Sequence, residues 1–82
     1  MSEPVIREAI LAQTIARGPD KSICPSEVAR AVAAEEWRSV MTRVRREAIV
    51  LAREGQIEIL RKGKPVDPGE EIRGVIRLRI RA

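Results

Sequence analysis

The chain has 82 residues, 44% of them apolar, with Trp37 as its single aromatic, one cysteine and no histidine. That length lies near the lower end of what one hydrophobic core supports, so it argues against a second domain and against a deep enclosed active-site cavity, and residues 1–82 read as one domain. The formal charge of +4 favours an anionic partner, and it is unevenly placed: four basic and six acidic residues up to Glu36, twelve basic and six acidic from Trp37 onward.

Pro4 suits the first turn of a helix, with Ser2 or Glu3 before it as cap, and Val5 to Arg17 reads helical until Gly18-Pro19 stops it. Val5, Ala9, Leu11, Ala12, Ile15 and Ala16 form one broad apolar face, while Ile6 and Ile10 fall on another side, so contact from two sides is expected. The two isoleucines pack either on the C-terminal hairpin of the same chain, the favoured arrangement, or on a second copy in a homodimer. Lys21 to Cys24 is a short extended stretch, kept out of helix geometry at Cys24 by the proline that follows. Pro25 opens a second helix ending near Ala33, with Val28, Ala29 and Val32 as its apolar side and Glu27 and Arg30 toward solvent.

Glu35-Glu36-Trp37 begins a further helical segment. Thr42 either continues it or recaps the chain; a break near Met41-Thr42 is favoured, giving a short extra helix before a third main helix over 42–54, closed by Gly55. At about 100° per residue, Met41, Val44, Ala48, Leu51 and Ala52 share the buried face of this third helix, and Arg43, Arg46, Val50 and Arg53 lie opposite. Gln56 to Lys62 then alternates as a strand with Ile57 and Ile59 inward, and Val75 to Arg81 alternates with Ile76, Leu78 and Ile80 inward. Together they predict a hairpin whose connection, Gly63 to Gly74, is long and dense in turn residues.

Helix, short strand, helix, helix and a hairpin is the order of an α+β winged helix-turn-helix, with three main helices and a C-terminal two-stranded β-wing. The strings ICPSEVARAV, WRSVM, VRREAIVLAREGQIEI, KGKPVDP and GVIRLR, which run from Ile23 to Arg79, resemble an uncharacterised bacterial family, domain of unknown function 3253. The resemblance implies the fold and brings no activity that transfers to any residue.

Catalysis finds little support. The absence of histidine removes the commonest general base and the commonest metal ligand. Glu35-Glu36 and Glu70-Glu71 are adjacent carboxylates whose side chains diverge, and Gly63, Gly69 and Gly74 do not form a phosphate loop leading into a helix. Cys24, the only cysteine, can form neither an internal disulfide nor a cysteine metal cluster; it reads as a small buried hydrophobe or weak helix cap, or else as a redox-sensing thiol at a helix N-terminus. No enzyme activity, cofactor or metal is therefore expected. Trp37 reads as core or boundary, and without further aromatics there is no stacking platform for single-stranded nucleic acid. The first residues carry Glu3, Arg7 and Glu8 and no long apolar run, which fits neither a signal peptide nor a membrane span and makes the cytoplasm the expected compartment.

The arginine stripe carries the functional expectation. A helix-turn-helix lays its second helix in the major groove, where Arg43, Arg46 and Arg53 reach guanine edges and phosphates and Val50 suits a thymine methyl. Lys62 and Lys64 flank the wing tip and reach toward phosphate, opposed by Asp67, Glu70 and Glu71 in the same loop. Three plainer readings stand beside it. Glu47 and Glu54 pair with the stripe along the helix and leave a merely solvated face; Arg outnumbers Lys 13 to 3, as codon usage in a G+C-rich genome would produce; and Arg77, Arg79 and Arg81 pair with Glu58 across the ladder. The expected function is double-stranded DNA binding in a regulatory or accessory role. The alternative is a winged-helix protein-interaction module, indifferent to nucleic acid, with Ile6, Ile10 and Val50 as apolar anchors meeting a protein partner.

Overall fold

The computed structural model describes residues 3–81, so a cap at Ser2 lies outside the described residues. They form three helices and three strands: α1 Glu3–Arg17, α2 Pro25–Val32, α3 Trp37–Arg53, β1 Ile57–Arg61, β2 Lys64–Pro65 and β3 Arg77–Ile80. All three helices and strands β1 and β3 contribute to one cluster of buried apolar residues.

The rotation of α1 differs from the apolar count. Ile6, Ile10 and Thr14, spaced one turn apart, are the buried side, while Val5 and Ile15 are 46% and 61% exposed and Ala12 and Ala16 face solvent. The reason is Glu8. It sits among Val5, Ala12 and Ile15, so burying that side would bury a carboxylate, at a cost that several methyl groups do not offset. Thr14 meets no such penalty, because its hydroxyl donates to the Ile10 carbonyl at 2.8 Å and lies 3.2 Å from the Leu11 carbonyl. Ile6 and Ile10 are completely enclosed within the single chain, so neither is available to a second copy.

Ile23 forms an isolated antiparallel bridge with Leu78, two backbone bonds of 2.8 Å. Cys24 follows in extended geometry, and Glu27 in the first turn of α2 turns its carboxylate back to accept from the Cys24 backbone N–H at 2.7 Å. Glu27 also takes Arg17 at 3.1 Å, so it ties the ends of α1 and α2 together and is half-buried.

The break expected at Met41-Thr42 does not occur, and α3 is one helix of 17 residues. Val40, Val44, Ala48 and Leu51 form a continuous buried stripe through that point, and no glycine or proline interrupts 37–53. Packing therefore keeps Thr42 in helix geometry. Met41 and Ala52 are half-buried at the margins of the stripe.

The expected two-stranded hairpin is a three-stranded antiparallel sheet in the order β2-β1-β3. Ile57 pairs with Ile80 and Ile59 with Leu78, which places the alternating apolar side chains of β1 and β3 on one face. Lys62 and Gly63 have φ of 53° and 79°, the pair of positive values that a type I′ turn requires, and this turn folds Lys64 back onto Arg61. The long connection thus starts after β2. Val66 and Ile72 anchor it to the core, and Val66 donates to the Ile59 carbonyl at 2.9 Å. Among the described residues no helix is long and apolar enough to cross a membrane.

Candidate nucleic-acid interface

Arg43, Arg46, Val50 and Arg53 all lie on the exposed side of α3, with Val50 37% exposed. Thr42 and Ser39 join them there. Thr42, Arg46 and Arg53 recur at i, i+4 and i+11, so they line up along about 16 Å of helix.

Two glutamates, Glu47 on the buried stripe and Glu54 at the end of α3, lie away from this side. Arg7 of α1 donates through Nη1 to Glu47 Oε1 at 3.4 Å and to Glu54 Oε2 at 3.2 Å, and its Nη2 bonds Glu54 Oε1. Glu54 also accepts from Gln56 Nε2 at 2.8 Å. The hydrogen bond from Arg7, followed by that from Gln56, holds the Glu54 carboxyl below the usual carboxylate range, and the same contact raises Arg7. Both acids are thus drawn to the α1 side, and Arg46 has no ion pair or hydrogen bond among the described residues.

Other arginines are committed to architecture. Arg45 donates to the Gly74 carbonyl at 3.2 Å and lies 3.5 Å from that of Ile72, and Arg53 Nε donates to the Pro68 carbonyl at 3.2 Å. These bonds lay segment 66–76 along α3. Arg53 is therefore both on the stripe and fastened to the loop through one of its five N–H groups. Arg79 pairs with Glu58 at 2.7 Å across the ladder, as expected, whereas Arg77 binds the Ser22 hydroxyl and carbonyl at 2.7 and 2.9 Å.

Lys62 occupies the tight turn and Lys64 opens β2, both exposed. Asp67, Glu70 and Glu71 lie in the same connection, after β2. There Asp67 accepts from the Gly69 backbone N–H at 2.8 Å and Glu71 pairs with Arg73 at 3.0 Å.

One arrangement escaped the sequence reading. Trp37, half-buried, is stacked by two cations: the guanidinium carbons of Arg30 and Arg38 each lie 4.4 Å from its ring centre. Arg38 is its chain neighbour, but Arg30 arrives from α2, and no local pattern announces a contact that depends on the angle between two helices.

The concave features are small. A cleft of about 120 Å³ lies between Arg61 and the 66–73 segment, and another of about 210 Å³ is lined by Cys24, Pro25, Met41, Arg45 and Gly74 to Ile76, both below the roughly 300 Å³ at which small-molecule sites begin. Cys24 is half-buried at the second, its sulfur accepting from Ser26 Oγ at 3.1 Å.

Comparison with curated proteins finds no match to this chain. The model of the family described as protein of unknown function, DUF3253, matches residues 3–81, and the chain belongs to that family.

Proposed function

We propose that this chain is a winged-helix protein that binds double-stranded DNA in a regulatory or accessory role, with α3 as recognition helix. The order α1, Ile23 bridge, α2, α3 and antiparallel sheet supports the winged-helix reading, with the Lys62-Gly63 turn as the tip of the wing. The observation that carries DNA binding is that Arg46, unpaired among the described residues, stands on the outward side of α3 in a row with Thr42, Val50 and Arg53, while Arg7 holds Glu47 and Glu54 on the α1 side. In the groove, Arg46 and Arg53 read base edges or phosphates, Arg43 lies beside them, and Val50 meets a methyl group. Lys62 and Lys64 reach the flanking phosphates.

The protein-interaction reading loses Ile6 and Ile10 to the core and retains Val50, together with Val5 and Ile15 on the outer side of α1. Salt separates the two readings, because phosphate contacts release counterions and an apolar interface does not. Anisotropy of a labelled duplex of about two helical turns, at low and near-physiological salt, is expected to show salt-sensitive binding that Arg43→Ala/Arg46→Ala/Arg53→Ala abolishes while remaining folded. A wild type that ignores the duplex at low salt refutes DNA binding.

A further inference from the structure

The corner where α2 meets α3 carries charge that the outward row of α3 does not explain. Arg30 in the last turn of α2 and Arg38 in the first turn of α3 are exposed, and each stacks on Trp37 at 4.4 Å. Neither makes an ion pair or hydrogen bond among the described residues, although Glu35 and Glu36 occupy the turn between the two helices. The two arginines have the indole as partner in place of the nearest carboxylates.

That choice has a chemical consequence. A guanidinium lying over a ring keeps its N–H donors in its own plane, directed away from the ring, so stacking orders the side chain without using a donor. A carboxylate partner would use those donors. An arginine already ordered loses less rotamer freedom when an anion arrives, and its fork suits two oxygens of one phosphate.

From these features we infer that Arg30, Trp37 and Arg38 form a phosphate clamp, which takes the backbone of duplex DNA at the N-terminal end of α3. The clamp rests on the DNA-binding reading of α3 and extends its footprint onto α2. Arg38, Thr42 and Arg46 stand at i, i+4 and i+8 along the outward side, so about 12 Å of helix separates Arg38 from Arg46. The major groove is about 12 Å wide. With Arg46 over base edges, Arg38 and the neighbouring Arg30 meet the strand that borders the groove, where contacts fix register without reading sequence.

Because Trp37 is the only aromatic residue in the chain, its fluorescence reports from this corner alone. The test titrates the full chain with a mixed-sequence duplex of about two helical turns across a salt series, following duplex anisotropy and Trp37 emission together, for wild type and Arg30→Gln/Arg38→Gln. Trp37 emission is expected to change with the same midpoint as the anisotropy. The double variant is expected to bind about tenfold or more weakly at low salt, with the slope of log K against log salt reduced by about 1.8, the value for two lost phosphate contacts. Wild-type binding with silent Trp37 emission, or an unchanged slope in a variant that circular dichroism shows folded, overturns the clamp and leaves the role of α3 standing. Should the variant fail to fold, wild-type emission decides alone. A wild type that does not bind at low salt overturns the clamp and the DNA reading together.

Discussion

Arg7 reaches Glu47 of α3 from 40 residues away in sequence. Its guanidinium holds Glu47 and Glu54 on the α1 side, and Arg46 on the outward side has no acid three or four residues away along α3. Glu54 provides a direct test. Hydrogen bonds from Arg7 and Gln56 lower its carboxyl below the ordinary value of 4.5, so the unfolded chain takes up this proton more readily than the folded one. The tie therefore contributes its full stability above the ordinary value and loses it as the pH falls through the lowered one. Glu54→Gln is expected to be less stable than wild type near pH 7, with the difference shrinking as the pH falls below the ordinary carboxylate value; urea midpoints at neutral and at acid pH check this. An equal gap at both would mean that the charge of Glu54 contributes nothing.

The helices show which physical information a sequence displays and which it withholds. The outward side of α3 was legible because Arg43, Arg46, Val50 and Arg53 follow the helical period, and the pairing of β1 with β3 was legible because Ile57, Ile59 and Leu78 alternate. The continuity of α3 was not, since Thr42 is equally at home as a cap and inside a helix, and the stripe from Val40 to Leu51 decides between them. The rotation of α1 was misread because an apolar count gives no weight to the single carboxylate at Glu8. The pairing of β2 was missed because Lys64-Pro65 is too short to alternate and Lys62-Gly63 lacks the Asn-Gly or Asp-Gly signature of its turn. An unbroken α3 makes a clear prediction: Thr42→Pro removes an interior helix bond and should cost about 3 kcal/mol or more. Were Thr42 the cap of a new helix, proline there would forfeit only the cap, about 1 kcal/mol. A thermal melt of the variant distinguishes the two.

For the molecule as a whole, the core and the proposed binding surface draw on different residues, and Arg53 alone of the row also fastens the loop. The chain has no disulfide to support a single core of aliphatic side chains, and a domain of this size has only about 4–12 kcal/mol of net stability. Leu78 is at the centre of that core: fully buried, paired with Ile59 on one side of β3 and bridged to Ile23 on the other. It therefore joins the segment before α2 to the sheet that follows α3. Leu78→Ala is expected to cost about 2–5 kcal/mol, a large share of the total, and to weaken duplex binding only to the extent that it unfolds the chain. Arg46, exposed and unpaired among the described residues, is the opposite case, and Arg46→Ala should leave stability within about 0.5 kcal/mol while weakening the duplex complex. Urea denaturation and anisotropy on both variants test the separation. A Leu78→Ala protein as stable as the wild type would mean that Ile23, β1 and β3 do not share one core, and an Arg46→Ala protein that loses stability would mean that its guanidinium belongs to the fold and not to the proposed binding surface.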